Sequence, residues 1–525
     1  MRAKTFLLCL ILNYSVILMG QINLGIHLNT EEATPSYTLF DTNNKTYLID
    51  NCGEVVHQWN TFDMRYHSKL LPNGNIIFIQ YGEIYEMNWE GEIVKQFSDN
   101  DPTIHLEYEV IVLPNGNYLC VGRKEFSYSD FANIGYQIPA GSSPSQIDVV
   151  VELDKDTGII VWQWILGDHV IQERDANAPN YGVIKDNPQL LNMDVIATYD
   201  WENTESFMIN GMDYNPELDQ IILSVRKISE IVIIDHSTTT AEAASHTGGQ
   251  SGKGGDILWR WGNPANYNAG TTADRYLYFQ HNPKWITQGP HIGKISCYNN
   301  GLNRPGIPFG EGYSTVPLLE PQMDSEGHYL MDNEGAFLPA EPQLEIGKFT
   351  TGTDFFSGYT SGAEFMANGN IYITEGHLGR IFEVDPAGEM TWFYKIPGIY
   401  YIFRTQKYAL DYVAFEGRDL VPMGQIPGTE NDYVCNIIEG TEDAPHSPNT
   451  FALMKIDAAK YGLANQLERG FYYQIYNLQG VLLEKGQSAS AYFELDLNGN
   501  PSGYYVLNVA DKKTLHWQAF KVVVD

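Results

Sequence analysis

The feature that most constrains this chain is a hairpin that keeps coming back. Residues 69–80 read KLLPNGNIIFIQ, residues 112–119 read VLPNGNYL, and residues 365–372 read FMANGNIY. An Asn-Gly pair between apolar runs marks a tight strand–turn–strand, because the chain there must pass through positive φ. One such hairpin is a local event. Three of them, far apart in the chain, imply a building unit used repeatedly.

Each hairpin is followed by a second strand pair. Residues 82–97 read GEIYEMNWEGEIVKQF, residues 149–164 VVVELDKDTGIIVWQW, and residues 379–394 GRIFEVDPAGEMTWFY. A weaker copy is SEIVIID at 229–235, a Gly/Ser-rich loop, then GDILWRW at 255–261. The units end on Phe97, Trp164, Trp261 and Tyr394. Four short strands per unit describe the blades of a β-propeller. Complete units run roughly over 66–97, 105–164, 207–261, 280–346 and 360–394, the fourth being the most degenerate. YLIDNCGEVVHQW at 47–59 reads as a second half alone, and YYIFRTQKYALDYVAF at 400–415 as a first half alone. Joined in one sheet they make a sixth blade and close the ring, which removes an exposed sheet edge. An open β-solenoid or two sandwiches would use the same strands. The expected fold is all-β: a six-bladed propeller over 21–421, followed by a small C-terminal β-sandwich.

The start, MRAKTFLLCLILNYSVILMGQ, places Arg2 and Lys4 before an apolar run from Phe6 to Met19. That run is short for a membrane span and ends on a small residue. It reads as a secretory signal peptide over 1–20, cut near Gly20–Gln21. With no second long apolar stretch, no stable membrane span is expected. The formal net charge of −33 repels phosphate backbones and argues against a nucleic-acid partner. Beyond Cys9 of the leader, Cys52, Cys120, Cys297 and Cys435 are widely spaced. Disulfides are permitted outside the cytoplasm, but the spacing does not specify pairing and argues against a zinc site. No metal or cofactor motif is present. Residues 422–450, rich in Pro, Gly, Asn and Asp, read as a linker. Residues 451–525 form a separate run of strands with its own turns and are expected to lend no side chain to the propeller's funnel.

A propeller gathers the ends of its inner strands around a central funnel, where ligands bind. The stretches before the hairpin turns supply candidate binding residues: His67, Glu107 and Glu109, Asn210 and Asp213, and Ser361, with His281 in FQHNPKWI. Similar places in successive units should bring them to one end of the funnel. Each alone is more simply a hydrogen-bonded turn residue; their convergence is what suggests a site.

Residues 213–243, WGNPANYNAGTTADRYLYFQHNPKWI at 261–286 and NNGLNRP at 299–305, with the LPNGN hairpins, resemble the arylsulfotransferase family of secreted bacterial proteins. The resemblance covers most of 36–420. It implies a six-bladed propeller that moves a sulfuryl group between phenols, without a nucleotide donor or other cofactor, through a sulfated histidine. The substrates it implies are a small aromatic sulfate ester and a phenol. Imidazole is both a good nucleophile and a good leaving group, and an arginine fork can hold the sulfuryl oxygens. His281 matches the family's QH motif. Arg304 matches the arginine after its NNG turn, and Arg226 that of the equivalent strand. His377, in TEGHLGR, lies near a further funnel histidine. From this, His281 and Arg304 are expected to face one funnel mouth within reach of a shared anion. The C-terminal run resembles the sorting domain of the type IX secretion system, through YNLQG, PSGYYVL and a terminal KVVV. This implies export through that machinery to the surface or medium.

Two positions depart from the family. Met208 stands where a histidine is common, and Glu107-Tyr108-Glu109 stand where His-His-Asp is common. The alternative function is therefore a propeller without chemistry that binds a glycan, peptide or anion at the cell surface.

Overall fold

The computed structural model describes residues 24–429, 433, 435 and 451–524. It leaves out 63–65, 99–100, 136–145, 198–206, 309–311, 348–354 and 398–400, and in the C-terminal part 458, 466–469, 478–481, 491, 502 and 512–516. The expected leader and most of the expected linker lie outside the described residues.

The repeated turn explains its own sequence. Gly74, Gly116 and Gly369 have φ of 90°, 88° and 90°. The Gly74 N–H donates to the Leu71 carbonyl at 2.9 Å, and the Leu71 N–H to the Asn75 carbonyl at 2.7 Å. The loop is thus a three-residue turn closed by a glycine bulge, in which only the glycine needs positive φ. The second asparagine has a separate task. Asn75, Asn117 and Asn370 each donate a side-chain hydrogen bond of 2.6 Å, to Glu86, Glu152 and Glu383. Each glutamate lies on the third strand of the same blade. The NGN motif latches the hairpin tip to the blade.

Six antiparallel sheets follow. Their inner strands are Lys69–Leu70, Ile104–Val112, Ile209–Asn215, His281–Trp285, Gly362–Phe365 and Gln406–Ala409, which head blades 1 to 6. Blade 6 joins the two chain ends, as expected: Gln406–Ala409 lies in one sheet with Lys45–Ile49 and Val55–Asn60. The composition of that blade differs from the sequence reading. The 400–415 stretch supplies one strand, not two, and its direct partner is Ser36–Thr42. A further strand, Gly25–Asn29, adds to the outer edge of blade 5.

The apolar cores lie between blades rather than within them. Six buried clusters join blades 1 and 2, 2 and 3, 3 and 4, 4 and 5, 5 and 6, and 6 and 1. Every sheet is therefore clamped on both faces, and the ring closes without an unpaired face. The tryptophans of the fourth strands, at the aromatic end of the unit (Trp59, Trp164) or two residues before it (Trp259, Trp392), belong to this arrangement. The indole N–H groups of Trp59, Trp164, Trp259 and Trp392 donate to the Asn88, Gly255, Leu338 and Asn51 carbonyls of the next blade. A buried indole N–H needs a partner, so each tryptophan both fills the gap and pins the neighbour.

Residues 422–429 begin by docking on blade 6: the Val55 N–H donates to the Gly424 carbonyl at 2.9 Å and the Met423 N–H to the Val55 carbonyl at 2.8 Å. A Cys52–Cys435 disulfide holds this segment, while Cys120 and Cys297 are buried thiols. The C-terminal part forms a three-stranded and a four-stranded sheet around a core of its own that includes Leu463, Phe471, Leu507 and Val522. Among the described residues no helix is long and apolar enough to cross a membrane.

Candidate functional site

The inner strands begin with a repeated irregularity. The register slips around Tyr108–Glu109, at Asn210, and at Asn282–Pro283. Tyr108, Met208 and Asn282 have φ of 61°, 62° and 52°, and Thr360 and Ser361, just before the fifth inner strand, have 52° and 85°. A bulge re-aims the side chain it carries, and bulky residues in the left-handed region are held there only by their surroundings. Side chains that regular strands would send into the blade interfaces are turned toward one another instead.

His281 is one centre of this cluster. It is buried, and its Nδ1 lies 2.7 Å from Asn300 Oδ1. The Asn300 amide nitrogen donates to the Ser357 and Thr360 carbonyls at 2.7 and 2.9 Å, which fixes the orientation of that amide. The oxygen facing His281 can only accept, so Nδ1 carries the proton and Nε2 of the neutral ring carries the lone pair. Burial, together with the charge of Arg226, drives the ring down to about 3, against the Asn300 hydrogen bond.

His67 is the second imidazole. Its ring stacks on Phe403 with centroids 5.5 Å apart, and His281 meets the same ring edge-on at 6.4 Å. Its Nε2 is 3.4 Å from Glu109 Oε1, and its Nδ1 has no hydrogen-bond partner among the described residues. Burial drives it down to about 4 despite Glu109. Both rings are neutral across the physiological range.

Arg404, which the sequence reading did not single out, ties the two halves together. Its guanidinium is 1 % exposed. Nη1 donates to Glu109 Oε2 at 2.6 Å, while Nε and Nη2 have no partner among the described residues. A Cβ added at Gly211 would lie 3.4 Å from Nη2, and one at Gly362 3.2 Å from Cγ, so two glycines keep room for this side chain. Burial alone would raise Glu109, yet Lys69, Arg404 and His67 together hold it well below the carboxylate range. Lys69 also forms an ion pair with it. Glu109 thus faces Lys69 and Arg404, with Lys284 near it, while burial raises the neighbouring Glu364 carboxyl toward its neutral form, and Arg226 adds a further cation beside His281. In a chain of net charge −33, this is a local anion site. The signal that could have found Arg404 is positional: it precedes the inner strand of blade 6 as His67 precedes that of blade 1.

The other expected residues divide. Arg226 is buried over the Phe279 ring at 4.8 Å, with Nη1 3.8 Å from Met208 Sδ. Met208 therefore packs against an arginine of this cluster. Glu107 pairs with Arg123 at 2.9 Å. Asn210 is fully buried; its amide donates to the Gln280 carbonyl at 2.9 Å, and its oxygen has no partner among the described residues. Asp213 accepts from the Trp285 backbone N–H at 3.0 Å and faces Lys284 at 3.4 Å, which ties two inner strands. Ser361 accepts from the Gly376 N–H at 3.0 Å and donates to the Tyr359 carbonyl at 3.1 Å, a turn-building pattern. Arg304 lies between the Tyr278 and Tyr313 rings at 4.9 and 4.3 Å. It follows the strand end that carries Asn300, and its buried Nη2 has no partner among the described residues. His377 is exposed on a strand connection and stacks on Tyr359 at 6.0 Å.

A sequence model of the arylsulfotransferase (ASST) family matches residues 27–395. No curated protein matches the chain. Among solved structures, a putative 6-phosphogluconolactonase from Bacteroides fragilis is similar at 10 % identity, covering 74 % of this chain and 99 % of that one, with a TM-score of 0.33. The hydrazine synthase of Kuenenia stuttgartiensis is similar at 10 % identity over 68 % and 78 %, with a TM-score of 0.32. A DUF3244-family protein with an immunoglobulin-like β-sandwich from Bacteroides vulgatus is similar at 15 % identity over 14 % and 85 %, with a TM-score of 0.14. Likenesses this weak carry no argument about chemistry.

Proposed function

The chain belongs to the arylsulfotransferase family, and from that premise we propose that it moves a sulfuryl group from an aryl sulfate to a phenolic acceptor through His281, with no nucleotide sulfate donor. The observation that supports this reading is a neutral imidazole, held at Nδ1 by Asn300, beside Arg226 and Arg404. Nε2 attacks the ester sulfur as the S–O bond to the aryl ring breaks, and the phenolate leaves with the bond pair and takes up a proton. The acceptor oxygen then attacks the same sulfur, the S–N bond breaks, and the electron pair returns to Nε2. Splitting one displacement into two is what a nucleophilic histidine offers. The unclaimed N–H groups of Arg404 face charge that spreads over the sulfuryl oxygens in each transition state. Solvent supplies the proton that the departing phenolate takes up, and His67, neutral and stacked on Phe403, accepts the acceptor's phenolic proton as its oxygen attacks and returns it to solvent.

The test is acid-free quenching after brief exposure to a chromogenic aryl sulfate, then peptide mass analysis. A sulfuryl group on the His281 peptide, absent in His281→Ala together with a loss of turnover of about 10³-fold or more, is expected. Transfer that survives in His281→Ala would overturn the assignment.

We further propose that the protein is exported by a leader at 1–20 and addressed by residues 451–525 to type IX machinery, which places it at the cell surface or in the medium. The support is the apolar start, the resemblance of the C-terminal run, and a core there that is separate from the propeller. Removing 451–525 should leave the protein in the periplasm; normal appearance in the medium would sink this address.

A further inference from the structure

Away from the funnel, at the junction of blades 2 and 3, we propose that His169, His246 and Asp256 form a binding site for a divalent first-row transition-metal ion, with Zn²⁺ as the probe. The ligand atoms of the three residues all lie within 4.8 Å of one another. His169 and Asp256 are buried, and His246 is exposed. The chain brings them together from two places. His169 ends the short helical turn Leu166–His169 that follows the outer strand of blade 2. The other two lie on the long excursion between the third and fourth strands of blade 3.

The tautomer of His169 is the main argument. Its Nε2 is 2.7 Å from the Ala243 carbonyl, which can only accept, so Nε2 carries a proton. Its Nδ1 is 2.9 Å from Asp256 Oδ1. In the neutral ring that nitrogen holds a lone pair directed at a carboxylate oxygen. The same oxygen is 2.8 Å from His246 Nδ1. Three donor atoms that converge in this way require a cation among them, either a proton or a metal ion. A histidine that donates its remote N–H to a backbone carbonyl is the usual orienting arrangement around a bound metal.

The surroundings are built to hold these positions. A Cβ at Gly255 would lie 2.0 Å from the Ala243 carbonyl oxygen and 2.5 Å from His169 Nε2. Only glycine lets the chain pass there and deliver Asp256. The Gly255 carbonyl accepts the Trp164 indole N–H at 2.7 Å, and the Trp164 ring stacks parallel to His169 at 5.4 Å. Bonds of about 2.0–2.2 Å in a tetrahedral site put neighbouring ligand atoms roughly 3.3 Å apart. Each imidazole nitrogen needs to open from Asp256 Oδ1 by only a few tenths of an ångström, and the two nitrogens, within 4.8 Å of each other, need to sit at the same spacing; exposed His246 can supply that movement. Two imidazoles and one carboxylate suit zinc or its neighbours rather than calcium or magnesium, which take oxygen. The exposed face of His246 leaves the fourth position to water. A bound ion would staple the glycine-rich excursion of blade 3 to the end of blade 2.

The experiment uses untagged full-length protein, stripped with a chelator and titrated calorimetrically with ZnCl₂. One ion per chain is expected, with at least a ~10-fold loss of affinity in both His246→Ala and Asp256→Asn and a zinc-dependent rise in Tm in the wild type. His246 is exposed, so its replacement should leave the fold intact. His236→Gln, in a nearby histidine–carboxylate group with Glu152 and Asp219, should bind zinc as the wild type does. Failure of the wild type to bind, or binding unaltered in both His246→Ala and Asp256→Asn, would overturn the site and leave a proton as the cation in this cluster.

Discussion

Two arginine–glutamate pairs lie fully buried among the described residues, and they do opposite things. Arg260 and Glu230, in blade 3, have all but one of their buried polar atoms engaged. Nε of Arg260 donates to Glu230 Oε2 at 2.6 Å and Nη1 to the Pro188 and Leu190 carbonyls. Nη2 lies 2.6 Å from the same Glu230 oxygen without hydrogen-bond geometry, so one nitrogen is left over against two in Arg404. Tyr267 covers the guanidinium face at 4.4 Å, and Asn266 donates to the other carboxylate oxygen at 2.6 Å. Arg404 and Glu109, at the funnel, meet through a bond of the same 2.6 Å length. There two of the three guanidinium nitrogens are unclaimed among the described residues, and the carboxylate is outnumbered by cations. The carboxyl groups report the difference: burial raises Glu230 although Arg260 is beside it, whereas Glu109 is held well below the usual range. A nearly satisfied buried pair is a fastener. A pair with donors left over is a place prepared for a further anion.

Paired substitutions test that contrast most directly. Arg260→Met leaves Glu230 buried without its counter-charge and should cost about 3–5 kcal/mol of stability, read by chemical denaturation, with the activity per folded molecule nearly unchanged. Arg404→Met should do the reverse. Glu109 keeps Lys69 and His67, so stability should move little, while kcat/KM for an aryl sulfate should fall about 10²-fold or more, as on loss of one oxyanion donor. Arg404→Lys should not restore it, because an ammonium lacks the planar fork. If the two variants exchanged phenotypes, the division into fastener and anion site would be wrong.

A smaller effect separates the regions by pH. His67 and His281 are driven down to about 4 and about 3 when folded, against about 6.5 unfolded. Between these values the unfolded chain binds more protons, so stability should fall as pH drops below about 6.5, by about 1.4 kcal/mol per pH unit for each neutral ring. Replacing His281 with Asn should reduce the slope near pH 5 by about one proton. An unchanged slope in His281→Asn would mean that the ring is already charged in the folded state.

Much of the fold could be read from the chain because its unit is local. A glycine that alone takes positive φ and an asparagine beside it that latches to a glutamate on the third strand of the same blade leave a signature that survives repetition, and so does the aromatic residue near the end of a blade. Blade 6 was legible only in part. Ser36–Thr42 reads SYTLFDT, with no turn motif to announce it, and it was overlooked. The site was less legible still. His281, His67 and Glu109 were named from their places in the repeat and Arg226 from the family resemblance, and the fold gathers them. Arg404 lacked a motif of its own. Ser361 and Asp213 occupied similar places but hold turns and strands together. The second asparagine of NNG, Asn300, sets the tautomer of His281, a role that appears only when its amide is seen bound to two carbonyls.

By itself the sequence determined a repeating four-strand unit, its count, and the residues entering each inner strand, because hydrophobic alternation and turn chemistry act over a few residues. Only the tertiary structure decided which of those residues meet. Bulges redirect their side chains by amounts no periodicity records. Whether an arginine ends satisfied or with donors to spare depends on neighbours hundreds of residues away: Arg404 and Glu109 lie 295 positions apart, and the closing of the ring is what makes them a pair.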